Sequence, residues 1–208
     1  QPTASQTLCV GSALNLSVAA SGTGLTYQWL LDGTPIGGAN SSTYSVGSVV
    51  LADGGTYTVE VSNGGVCAVS TVTSTGAVVI INAPVAITTQ PTASQTLCVG
   101  SALTLSVTAS GTGLTYQWKK NGIDIALATG SSYNIGSVVA SDAGTYTVEV
   151  TSAGICVPST VNSTAAEVLI ESPVAITSQP TASQTLCVGS ALNLSVAASG
   201  TGLTYQWL

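Results

Sequence analysis

No histidine, methionine or phenylalanine occurs in the 208 residues, and the only two positive side chains are both Lys, so arginine is absent too. Without His the commonest general base is missing. Without Arg there is no planar fork to clamp a phosphate or carboxylate. Eight acidic residues set against the two Lys give a net charge of −6, with no basic stretch. Such a chain has no electrostatic footprint for nucleic acid or an anionic membrane. No apolar run reaches the length of a membrane-spanning helix, and no charged, apolar-cored leader opens the chain. The chain is therefore expected to be a piece cut from a longer protein. What is present is hydroxyl: 28 Ser and 30 Thr, beside 45% apolar residues, a globular composition.

The organisation is periodic. QPTASQTLCVGSAL begins at Gln1, Gln90 and Gln179, a spacing of 89 residues. Residues 1–89 align with 90–178 without a gap and differ at 30 positions. Residues 179–208 are identical to 1–30, whereas 90–119 differ from them at three positions, so the unit of repetition is a pair of alternating domains 178 residues long. The expected domains are 1–82, with its first strand partly missing, 83–172, and 173–208 as the truncated start of a third.

Within one repeat the apolar residues alternate with period two, at Leu14, Leu16 and Val18, then Tyr27 and Trp29, Tyr44 and Val46, and Tyr57, Val59 and Val61. These are half-buried strands separated by Gly/Ser/Thr/Asn turns. Asp32-Gly33 and Asn121-Gly122 stand where a two-residue hairpin needs positive φ. About seven short strands per repeat predict an antiparallel β-sandwich. The linker Asn82-Ala83-Pro84 is short and holds a proline, so an all-β array of sandwiches arranged as a rod is expected.

The segments Gly11–Val18, Tyr27-Gln28-Trp29 and Asp53-Gly-Gly-Thr-Tyr57 resemble strands B, C and F of an immunoglobulin domain, with Asp53 and Tyr57 (Asp142 and Tyr146 in the second repeat) as its tyrosine corner. Where that family usually carries its inter-sheet cysteines this chain has Val18 and Val59, repeated as Val107 and Val148. The combination of Leu-Cys-Val-Gly, Tyr-Gln-Trp and Gly-Val-Cys is similar to the immunoglobulin-like tandem repeats of giant surface adhesin and fibre proteins of gliding Bacteroidota. The resemblance implies a secreted, cell-surface protein. It carries function only by analogy.

The cysteines lie elsewhere. Cys9 and Cys67 are 58 residues apart, as are Cys98 and Cys156, while Cys187 would pair outside the chain. They are expected to form one disulfide per repeat and to imply an oxidising compartment, a reduced pair being the alternative. Zinc is excluded, because two thiolates with no His cannot complete a tetrahedral shell. Asp32, Asp53 and Glu60 form no catalytic pair, and no cofactor or metal ligand set is visible. Trp29, Trp118, Tyr57 and Tyr146 are expected in the core, which leaves few rings for a glycan platform. Twelve of the 30 differences fall between residues 30 and 46, where Leu30-Leu31 becomes Lys119-Lys120. Leu30 is expected to face solvent, and these four residues are the candidate interface between chains.

The expected function is thus a disulfide-stabilised structural repeat of a long extracellular filament or adhesin stalk. It would bundle with copies of itself and reach another cell through a tip domain not present here. The alternative is that each repeat is an adhesive module for glycans or proteins. Catalysis is not expected, since nothing is placed to activate the abundant hydroxyls.

Overall fold

Alternating apolar residues become strands because period two puts every second side chain on one face of a pleated ribbon. In the computed structural model, which describes residues 1–2, 5–64 and 71–208, the first repeat forms β1 (Ser5–Cys9), β2 (Leu14–Ser17), β3 (Leu25–Leu31), β4 (Thr34–Pro35), β5 (Thr43–Val46), β6 (Gly55–Asn63), β7 (Thr71–Thr73) and β8 (Ala77–Asn82). The second forms β9 (Ala86–Thr89), β10 (Ser94–Cys98), β11 (Leu103–Ser106), β12 (Thr108–Ser110), β13 (Leu114–Lys120), β14 (Ile123–Asp124), β15 (Ser132–Ile135), β16 (Gly144–Ser152), β17 (Thr160–Asn162) and β18 (Ala166–Glu171). After them come β19 (Ala175–Ser178) and β20 (Ala197–Ser199). The chain is all-β, with immunoglobulin-like sheets in tandem.

In the first repeat one sheet runs β1-β8-β6-β3-β4, with β7 also on β6, and the other pairs β2 with β5. The second repeats this order as β10-β18-β16-β13-β14, with β17 on β16, beside β11-β15. Strand β1 runs parallel to β8, so that Cys9 lies opposite Asn82, and β8 runs antiparallel to β6, so that Gly55 lies opposite Val79. The end of β1 therefore sits where β6 begins. Strands β9 and β19 pair with β12 and β20.

The inner faces of both sheets supply one core. In the first repeat it contains Leu14 and Leu16 from β2, Trp29 from β3, Tyr57 and Val59 from β6, and Ala77, Val79 and Ile81 from β8. Val59 and Val148, where immunoglobulin domains usually carry a cysteine, are fully buried, and Val107 is buried too, while Val18 is half-buried. Trp29 donates its indole N–H to Ser41 O at 2.9 Å, and Trp118 does the same to Gly130 O. Tyr57 donates to the backbone O of Asp53 at 2.9 Å, and the Asp53 carboxylate accepts from Val50 N at 2.7 Å. Tyr146, Asp142 and Val139 repeat that corner. Burial pushes the Tyr57 and Tyr146 hydroxyls up to about 12, helped by the neighbouring Tyr44 and Tyr133 and by Asp53 and Asp142.

The hairpin tips follow from their residues. Asp32 and Gly33 have φ of 49° and 79°, and Asn121 and Gly122 have 50° and 81°. The side-chain oxygen of Asp32 accepts from Thr56 N at 2.8 Å, and that of Asn121 accepts from Thr145 N at 2.9 Å. Close contacts gather the chain into two compact units. One holds residues Gln1–Ala86, Ala109–Thr115 and Val150–Val161; the other holds Ile87–Thr108, Tyr116–Glu149 and Asn162–Leu208.

Candidate functional site: the cysteine-linked junction

The first unit contains the linker between two repeats and the segments that grip it. Ala83 N donates to the Thr112 hydroxyl at 2.9 Å, and Val85 N donates to Pro158 O at 3.2 Å. Val85 is buried. Gly111, at φ 147°, lets the backbone come close: a Cβ there would stand 3.1 Å from Val85 Cα and 3.3 Å from Pro84 O. Ser152 ties the two gripping segments together, donating to Thr112 O at 2.7 Å and accepting from Gly154 N at 3.1 Å.

The same turn meets the next linker one period later, inside the second unit, through a hydrogen bond of opposite direction. Thr201 N donates to Ser172 O at 3.2 Å, and a Cβ on Gly200 would stand 3.0 Å from Val174 Cα and 3.1 Å from Pro173 O. Residues 200 and 201 are 111 and 112 advanced by 89. Two successive linkers thus meet the same Gly-Thr turn.

At this linker the first unit is closed covalently. Cys9 and Cys156 form a disulfide with a Cα–Cα distance of 5.6 Å, 147 residues apart in sequence. Cys156 is buried, with its sulfur 3.2 Å from Asn82 O. That carbonyl also accepts from Val10 N at 2.9 Å, which fixes the turn carrying Cys9. A Cβ on Gly154 would come within 3.2 Å of Asn82 Cβ, so glycine eases this close approach.

This pairing corrects the one expected from spacing. Cys9 is bonded to Cys156 and not to Cys67, which lies outside the described residues, and Cys98 and Cys187 are exposed free thiols. Topology gives the reason. Cys9 sits where β6 begins, whereas Cys67 follows the other end of that strand in sequence. Nine strand residues span roughly 30 Å, and a disulfide tolerates a Cα–Cα distance of only about 7 Å. The repeated sheet order places Cys98 and the segment after β16 under the same restriction.

The candidate interface is corrected in one particular. Leu30 is 8% exposed. Its strand lies between β4 and β6, with Pro35 and Thr58 opposite it on either side, so an outward residue on this central strand is shielded. Leu31 is half-buried. Lys119, at the position of Leu30, is ion-paired to Glu149 at 3.1 Å and to Asp124 at 3.5 Å, and its hydrogen bond to Glu149 holds its pKa above the usual lysine value. Lys120 bonds Ser141 O and lies over the Tyr146 ring. Close by, Leu127 is 96% exposed at φ 63°, where the first repeat has Gly38. Nothing in its composition singled out that leucine.

Trp29, Trp118, Tyr57 and Tyr146 are buried among the strands. A cleft of about 270 Å³ opens on the first sandwich, lined by Val18, Leu25, Val61 and Val72 among others. The counterparts of Val18 and Val61, Val107 and Val150, are buried in the second repeat. No group of His, Cys, Asp or Glu that could hold a metal exists among the described residues. Nor, among them, is any helix long and apolar enough to cross a membrane.

Sheet order, buried Trp and tyrosine corner together define immunoglobulin-like sandwiches in tandem, and comparison with known proteins agrees. Residues 84–170 match the model of an Ig-like domain described as CHU_C associated. Over 70 residues the chain is 47% identical to a decoration protein of Escherichia phage T5, a match covering 33% of this chain and 43% of that one. The match thus spans less than half the length of that curated relative. A titin I-band fragment of three immunoglobulin domains aligns over 97% of this chain and 74% of its own, at 18% identity and a TM-score of 0.61. The N-terminal four immunoglobulin domains of Dscam1 align over 81% of this chain and 43% of theirs, at 19% identity and a TM-score of 0.63. At such identities the likeness is one of fold.

Proposed function

We propose that the chain is a structural segment of a long extracellular filament or adhesin stalk of the gliding Bacteroidota type, made of near-identical sandwiches whose linkers are held at fixed geometry. One observation carries this reading: the Cys9–Cys156 disulfide joins residues of successive repeats across the linker. A binding module hung on a flexible tether has no need of such a bond, whereas a stalk that transmits force does. Recurrence of the Gly-Thr grip at the next linker supports it. A disulfide also suits an oxidising, extracellular setting. A surface rich in Ser and Thr with few charges offers little repulsion to copies lying side by side, and Leu31, Leu127 and the Lys119-Lys120 pair are where lateral contacts would differ between alternate domains. Electron microscopy of the native material tests the reading. Smooth filaments with an axial period of two domains are expected; isolated short particles would refute it.

The adhesive alternative has one observation of its own, the cleft of about 270 Å³ on the first sandwich. It requires a ligand surface recurring once in each 178-residue pair, because Val107 and Val150, the counterparts of Val18 and Val61, are buried. Binding of the chain to a glycan array or to whole cells, lost on filling the Val18–Val61 cleft, would favour it.

A further inference from the structure

Three cysteines of this chain occupy the same place in their repeats, and only one of them is bonded. Cys9, Cys98 and Cys187 each offer a carbonyl that accepts from the N–H three residues on, at 2.9, 3.0 and 3.0 Å. Each is followed at two residues by a glycine of nearly the same φ: 88° at Gly11, 90° at Gly100 and 88° at Gly189. Cys98 ends β10 opposite Glu171 as Cys9 ends β1 opposite Asn82, and Val99 N bonds Glu171 O at 2.9 Å as Val10 N bonds Asn82 O. Cys98 thus stands in the setting from which Cys9 reaches its partner. That partner is also repeated in sequence: Gly154-Ile155-Cys156 has a counterpart in Gly65-Val66-Cys67.

We propose that Cys98 and Cys187 are open halves of the same cross-link, each taking up the Gly-Val/Ile-Cys cysteine 147 residues downstream, in the following repeat of the array. The step joins two thiols. Two S–H bonds break, one S–S bond forms, and the two electrons and two protons pass to a disulfide oxidant, whose own S–S bond opens to two thiols. Because each bridge spans 147 residues and the period is 89, consecutive bridges overlap. Every peptide bond of the interior is then bypassed by at least one disulfide, and a single proteolytic cut anywhere leaves the chain covalently continuous. The inference rests on the Cys9–Cys156 bond and not on the stalk reading, so a protein that forms no filament can still carry the ladder.

A protease specific for glutamate separates the pairings. Between Glu60 and Glu149 there is no cut site, so one fragment, 61–149, carries both Cys67 and Cys98. In the native full-length protein, blocked with maleimide and digested without reductant, overlapping bridges link such fragments to one another. The expected result is a series of such fragments joined end to end, far above the mass of one, that collapses to one band on reduction. A fragment 61–149 joined instead to 1–60 and 150–167 overturns the proposal, as does maleimide on Cys98. The undigested chain must also run at single-chain mass without reductant; multimers would place the partner cysteine in another chain and overturn it equally.

Discussion

Cys9 and Cys156 are bonded although Cys67 follows Cys9 by only 58 residues and Cys98 precedes Cys156 by the same interval. Closure of a loop of 147 residues stabilises by about 5 kcal/mol in the chain-entropy model. Cys9→Ser and Cys156→Ser are each expected to lower stability by roughly that amount, and the double variant no further. Urea denaturation read by Trp fluorescence measures it; additive losses would show that the two sulfurs have other partners.

Gly111 is where the linker meets the turn that grips it. Gly111→Ala places a Cβ against Val85 Cα and Pro84 O at positive φ, and is expected to cost about 2 kcal/mol. Gly47→Ala, with φ outside the left-handed region and open space around its Cβ, serves as the control and should change little. Thermal melting of the two variants checks the difference.

Tyr57 and Tyr146 give the protein an alkaline limit. Their folded pKa of about 12 lies above the ordinary value of 10.0, so the folded state holds these protons more tightly than the unfolded chain does. Stability from this source is complete below pH about 10 and is lost as pH rises through about 12. The urea midpoint should hold steady up to the first value and fall beyond it. Tyr57→Phe is expected to cost about 1–2 kcal/mol at neutral pH, since it leaves the Asp53 carbonyl without its partner, and to flatten the alkaline decline.

Leu30 and Lys119 show one strand position in two chemistries. Leu30→Asp puts a carboxylate among shielding neighbours beside Glu60 and is expected to destabilise by about 2–4 kcal/mol. Leu30→Lys should stay within about 1 kcal/mol of the parent, because Glu60 stands where Glu149 receives Lys119. Melting of the isolated chain checks both; a neutral aspartate would mean that Leu30 faces open solvent after all.

Leu127 holds a left-handed conformation with its side chain in water. Leu127→Gly is expected to stabilise by about 1 kcal/mol; the equivalent residue of the first repeat is Gly38, at φ 77°. A thermal shift upward checks it.

Much of the fold was legible because period-two alternation and the 89-residue repeat both speak in local terms. Trp29, the Asp53–Tyr57 corner and the Asp32-Gly33 turn announce themselves through neighbours a few residues away. The disulfide did not, because spacing within a repeat says nothing about which end of the sheet a residue occupies. That depends on the direction of β1 relative to β8 and β6. The signal was nevertheless present: 147 is 58 plus one period of 89, so the structure chose the partner one repeat further on. Leu30 departs from its expected exposure for a related reason, since alternation gives the face a residue points to but not whether flanking strands shield that face.

The most direct test of the account is the disulfide map of this 208-residue chain. Cleavage after glutamate without reduction yields the short fragment 150–167, which carries Cys156 alone. Mass spectrometry is expected to find it joined to fragment 1–60 through Cys9, with maleimide on the other three cysteines, Cys67, Cys98 and Cys187. Fragment 150–167 joined to 61–149, with Cys9 bonded to Cys67, would contradict the account.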